Sequence, residues 1–133
     1  MCGQERTALR VLVVDDNQFV TQSLFSLLRS EGFDPIVFQS AQPALEFIRG
    51  NCPDIALIDL HLPDLSGLEL SRELRQTHGD GLPIIIFSGD SSLETLKALS
   101  GVGATFFMAK PVNAPHLMEC IKQWTGPAKV PPT

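Results

Sequence analysis

Short apolar runs alternate along this chain with stretches whose apolar residues recur every three to four positions. "VLVV" (11–14), "PIVFQS" (35–40), "DIALID" (54–59), "LPIIIFSG" (82–89) and "ATFFMAKP" (104–111) read as strands. An amphipathic segment follows each of them. "FVTQSLFSLLRSEGF" (19–33) spaces Val20, Leu24, Leu27 and Leu28 as a helix would, and Gly32 stops it. "AQPALEFIRG" (41–50) carries Pro43 in its first turn and Gly50 at its end. "SGLELSRELRQ" (66–76) opens on Ser66 with Glu69 three residues on, a capping-box pattern. "SSLETLKALSG" (91–101) and "APHLMECIKQW" (114–124) complete the series. Three of the strands are continuous apolar runs, as parallel strands are when helices cover both faces. Right-handed crossovers then give an α/β, doubly wound, three-layer sandwich with a five-stranded parallel sheet and five helices.

The 133 residues suit one domain with a sizeable core, and 44% hydrophobic with 19% charged residues is ordinary for a globular chain. We expect one folded unit over 9–125 and, over 126–133, a Pro-rich tail or linker without apolar period. The net charge of -5 argues against nucleic acid as a ligand and favours a metal cation or a basic partner. The three cysteines, Cys2, Cys52 and Cys120, are too few and too scattered for a disulfide framework or a zinc site; Cys52 and Cys120 read as small, at least half-buried hydrophobes. "MCGQERTALR" has no signal-peptide apolar core, and no run approaches the roughly 20 residues that span a bilayer. The expected location is the cytoplasm, with no membrane association.

In an open parallel sheet, ligands bind beyond the carboxyl ends of the strands. The first strand ends in Asp15 and Asp16, the third in Asp59, the fourth in Ser88, and the fifth in Lys110 before Pro111. Three acids packed together repel one another unless a cation joins them. Oxygen ligands without His or Cys favour a hard cation, most simply Mg²⁺, whose remaining shell suits phosphate oxygens. Lys110 is a point charge for a phosphoryl oxygen, Ser88 a donor to another, and Asp59 a carboxylate nucleophile. The group reads as an acceptor of a phosphoryl moiety.

"VLVVDDN", "DIALIDLHLPDLSGLEL", "PIIIFSGD" and "FFMAKP", in this order over about 10–124, resemble the response-regulator receiver domain of two-component signalling, the CheY-like family. The resemblance implies a sheet of order 2-1-3-4-5. It implies Asp59 as phosphoacceptor for a sensor histidine kinase or phosphotransfer protein. Mg²⁺ (or Mn²⁺) would be held by Asp16 and Asp59 directly, by Asp15 mainly through water, and by the His61 carbonyl. Ser88 and Lys110 would bind the phosphoryl group, and Phe107 would follow Ser88 in a packing switch. The peptide before Pro111 would be cis. Output would leave by the face of the fourth helix, fifth strand and fifth helix, to an output domain or a partner. The only chemistry catalysed would be the domain's own phosphotransfer and autodephosphorylation.

His61 and Asp90 lie two residues past Asp59 and Ser88, where their side chains can tune the lifetime of an aspartyl phosphate. Asp64 in the "PDLSG" turn reads as a cap without chemistry, Phe106 as plain core, and His78 and His116 as surface residues. Other functions fit less well. A haloacid-dehalogenase-like phosphohydrolase wants a second Asp where His61 stands. A flavodoxin-like carrier wants a Ser/Thr/Gly loop where "DDNQF" stands. A pseudo-receiver that binds partners without phosphorylation is the alternative, against which the intact acidic pair, Asp59, Ser88 and Lys110 all argue. Lys97, Glu119 and Lys122 could join a charge-paired dimer, but "ATFFMA" supplies no acid to it, so a homodimer by another route stays open.

Overall fold

The computed structural model describes residues 8–79, 81–89, 92–101 and 106–124. Five strands and five helices alternate: β1 (Arg10–Val14), α1 (Gln18–Ser30), β2 (Asp34–Phe38), α2 (Ala41–Gly50), β3 (Ile55–Asp59), α3 (Gly67–His78), β4 (Ile84–Ser88), α4 (Leu93–Gly101), β5 (Phe106–Ala109) and α5 (Ala114–Trp124). All four strand pairings are parallel and the order is β2-β1-β3-β4-β5, as the resemblance implies. Asp90 and the Pro-rich tail fall outside the described residues, as do Ser91 of the expected fourth helix and Ala104 and Thr105 of the expected fifth strand.

The period of two along each strand sorts side chains onto two cores. On one face Leu12, Val14, Ala56, Ile58, Ile84 and Ile86 meet Ala44, Leu45 and Ile48 of α2 and Leu70 and Leu74 of α3. On the other, Val11, Val13, Ile55, Leu57, Ile85 and Phe87 meet Leu24 and Leu28 of α1 and Leu117, Met118 and Ile121 of α5. The central strands β3 and β4 are buried along their whole length, which is why they lack polar alternation. Phe106 and Phe107 part at β5, Phe106 half-buried against the α1/α5 core and Phe107 half-buried against the α2/α3 core.

Two sequence expectations change. His78 is half-buried, with its ring Nε2 3.0 Å from the Ile48 carbonyl in the last turn of α2, so it bridges two helices instead of lying free on the surface. Cys120 is buried and free, but Cys52 is disulfide-bonded, so it is more than a small hydrophobe. No helix among the described residues is long and apolar enough to cross a membrane.

Candidate functional site

The backbone ladder continues to the last residue of each strand and aligns the residues beyond. The Asp15 N–H donates to the Phe38 carbonyl at 3.1 Å, the Leu60 N–H to Phe87 at 2.8 Å, and the Lys110 N–H to Ser88 at 2.9 Å. Asp15, Asp59, Ser88 and Lys110 therefore share one edge of the sheet.

The turn from β1 into α1 takes two residues beyond Asp15. Asn17, extended at φ -87° and ψ 111°, caps α1 by accepting the Phe19 and Val20 N–H groups on its side-chain oxygen. Its own N–H donates to Asp15 Oδ1 at 2.9 Å. This tight turn keeps Asp15 buried and leaves Asp16 exposed. Asn17 is a site residue that the sequence reasoning missed, although an Asn just before an amphipathic segment is a legible N-cap signal.

Carboxylate oxygens of Asp15, Asp16 and Asp59 all lie within 4.8 Å of one another. Lys110 enters this group, its Nζ 3.1 Å from Asp15 Oδ2 and 3.4 Å from Asp59 Oδ1. Burial first, and then the charge of Asp15, push the Asp59 carboxyl above the usual carboxylate range, against the opposing pull of Lys110 and the His61 N–H. Burial works against the Lys110 ammonium, but Asp15 and Asp59 together outweigh it and raise its pKa above the usual lysine value. One cation thus answers a cluster of three acids, two of them buried.

Asp15 Oδ2 is buried and accepts no hydrogen bond from any described residue, although the lysine charge stands close by. Three carboxylates drawn together, with no His or Cys in the cluster, fit a hard divalent cation. Asp15, Asp16 and Asp59 are the groups that could hold it.

The remaining expected residues divide. Ser88 is fully buried at the end of β4. Strand alternation puts it on the same face as Ile84, Ile86 and Phe107. The Lys110–Pro111 peptide is cis. The His61 side chain is exposed, and its N–H lies 3.5 Å from Asp59 Oδ1. Asp90 lies outside the described residues. Phe19, missed in the sequence, is 73% exposed in the first turn of α1. It borders an apolar groove formed with Leu24, Leu27, Pro111 and Val112, which opens next to Lys110. Periodicity alone could not flag Phe19, because it stands off the apolar face of its helix.

Comparison with known proteins agrees with the fold. The family model described as "Response regulator receiver domain" matches 11–122. The chain is 35% identical over 126 residues to response regulator MprA of a Mycobacterium species, covering 92% of this chain and 54% of that protein. It is 29% identical over 123 residues to the CAI-1 autoinducer sensor kinase/phosphatase CqsS of Vibrio cholerae, covering 91% of this chain and 18% of that one. It thus spans about half the length of the first relative and under a fifth of the second. A CheY-like receiver domain protein from Methanospirillum hungatei superposes with a TM-score of 0.83 at 32% identity, over 87% of this chain and 92% of that one. The chain belongs to the response regulator receiver domain family, the receiving module of two-component signalling.

Proposed function

We propose that this chain, over 9–125, accepts a phosphoryl group on Asp59 from a phosphohistidine and thereby switches a partner or output domain; 126–133 would be its tail or linker. The observation that carries this reading is the gathering of three carboxylates at the carboxyl edge of the sheet, two of them, Asp15 and Asp59, within ion-pair distance of the Lys110 ammonium. The step is a displacement. An Asp59 carboxylate oxygen forms a bond to phosphorus, the phosphorus–nitrogen bond of the donor breaks, and its electron pair returns to the imidazole. Mg²⁺ (or Mn²⁺), held by Asp16, Asp59 and the His61 carbonyl and by Asp15 through water, would supply the positive charge that offsets the phosphoryl oxygens.

The chain's own residues do the rest. Lys110, paired with Asp15 and Asp59 before the reaction, exchanges the Asp59 oxygen for a phosphoryl oxygen. The Ser88 hydroxyl donates to another and moves toward it. Phe107 is only half-buried and has no hydroxyl, so it follows by repacking. The α4–β5–α5 face then changes population between two states. Leu93 and Leu96 of α4 are exposed and would belong to that output face. Phe19 and its groove offer the phosphodonor a docking surface beside Lys110. His61, exposed two residues past Asp59, would overhang the phosphoryl group and set the lifetime of the phosphate. Asp59 is the only group used as nucleophile, so the chemistry is confined to the domain itself.

The test is the intact mass of wild type and Asp59→Asn after incubation with acetyl phosphate, with Mg²⁺ and with EDTA. A single labile phosphoryl adduct on wild type with Mg²⁺ alone supports the reading. Equal labelling of both proteins overturns it.

A further inference from the structure

The loop between β3 and α3, just beyond the phosphoacceptor, is pinned from three directions. At its start the His61 N–H approaches Asp59 Oδ1. At its end the Gly67 N–H donates to the Leu60 carbonyl at 2.8 Å, folding the chain back onto β3. Its middle is fixed from outside. Asp64 reaches across to α2, where Oδ1 accepts the Ala41 N–H and Oδ2 the Gln42 N–H, both at 2.9 Å.

Those amides are the first two of α2 and have no partner inside the helix. Ser40 occupies the capping position and is of a type that ordinarily caps, yet it makes no side-chain cap hydrogen bond. The acid that does the capping comes from the phosphoacceptor loop, 23 residues away. The two amides hold the Asp64 carboxyl below the usual carboxylate range, as expected of a carboxylate that accepts from both. The sequence alone suggests that Asp64 caps its own turn; the structure gives it another helix.

We infer that Asp64 is a positioning residue of the phosphorylation site: by clamping the β3–α3 loop to the N-terminus of α2 it fixes the His61 backbone relative to Asp59. The inference rests on the function proposed above only for its consequence, that the His61 carbonyl is held ready for a cation. A loop fixed in advance does not have to be ordered when the cation or the phosphoryl group arrives. Groups that orient metal ligands from behind typically change affinity by about 10–100-fold when removed. The competing account is that Asp64 stabilises α2 and nothing more.

Three proteins separate the two accounts: wild type, Asp64→Ala, and Glu46→Gly, which weakens α2 at an exposed position away from the loop. In metal-free protein, backbone ¹⁵N order parameters at His61 and Leu62 should fall in Asp64→Ala from about 0.85 toward 0.6 and stay at wild-type values in Glu46→Gly. Calorimetric titration with Mg²⁺ should show affinity about 10-fold weaker in Asp64→Ala and unchanged in Glu46→Gly. Order parameters in Asp64→Ala equal to wild type at His61 and Leu62 overturn the inference. A wild type that neither binds Mg²⁺ nor takes a phosphoryl group overturns the proposed function instead, while the metal-free measurement still decides whether Asp64 fixes the loop.

Discussion

Replacing Gly67 and Gly50 by alanine should move stability in opposite directions, because the same added methyl group meets backbone at one position and open space at the other. Gly67 is the buried first residue of α3. A Cβ there would lie 2.4 Å from the Asp59 carbonyl oxygen, 2.9 Å from Leu60 Cα and 3.1 Å from the Asp59 carbonyl carbon. All three atoms belong to the main chain at the end of β3, so none can swing aside. Ordinary contact begins at 3.4 Å, so helix and strand must part by about 1 Å. Overpacking of this kind costs about 1–3 kcal/mol, and the better helix propensity of alanine returns at most about 1 kcal/mol. Even with the whole of that return, the net loss should reach up to about 2 kcal/mol. Gly50 ends α2 in open space and outside the left-handed region, so Gly50→Ala should gain about 0.4–1 kcal/mol, mainly by restricting the unfolded chain. Urea denaturation of the three proteins in one buffer measures both shifts. Gly67→Ala should also slow labelling by acetyl phosphate, since the displaced strand end carries Asp59, while Gly50→Ala should not. A Gly67→Ala midpoint at or above wild type would refute the close packing of α3 on the phosphoacceptor strand.

Four further outcomes are expected. Asp59→Asn should raise the melting temperature at neutral pH, because the folded-state pKa of Asp59 is raised: its ionised form carries a penalty that is full above the folded pKa and absent below the unfolded value of 3.8. The gain should therefore shrink as the pH falls toward that value, and a gain independent of pH would contradict this cause. Lys110→Met leaves Asp15 and Asp59 without their cation and should cost roughly 1–3 kcal/mol in EDTA; Mg²⁺ should restore more of its melting temperature than it adds to wild type, and an equal Mg²⁺ increment in both would count against a shared cation site. Phe19→Ala should take phosphate from acetyl phosphate at the wild-type rate but from a phosphohistidine protein about 10-fold more slowly, which side-by-side time courses would measure. His61→Ala should change the decay rate of the phosphoryl adduct several-fold, and unchanged decay by intact mass would remove its tuning role.

Much of the fold is legible in the sequence because its signals are local. Ile84, Ile85 and Ile86 form an unbroken apolar run, which only a strand covered on both faces tolerates, and they are fully buried in β4. Helices bounded by strong signals are legible to their ends, with α2 and α5 matching "AQPALEFIRG" and "APHLMECIKQW" residue for residue. Ser66 caps α3 through the Glu69 N–H, the forward half of the capping box. What the sequence withheld is long-range. Nothing in "PDLSG" says that Asp64 will cap a helix formed 23 residues earlier, or that Ser40 will leave that cap to it. Nothing near His78 names the Ile48 carbonyl. The grouping of Asp15, Asp59 and Lys110 can be reached by asking what stands at the ends of parallel strands, but the insertion of the lysine between two acids is a matter of distance that only the folded chain supplies.

The most direct test of the central claim is to trap the phosphorylated protein. After labelling with acetyl phosphate and Mg²⁺, borohydride reduces an acyl phosphate to the alcohol, and peptide mass mapping then locates the altered residue. The account predicts one reduced position, with Asp59 converted to homoserine and Asp15 and Asp16 untouched. Reduction at Asp15 or Asp16, or a stable phosphoryl group elsewhere with Asp59 intact, would contradict it.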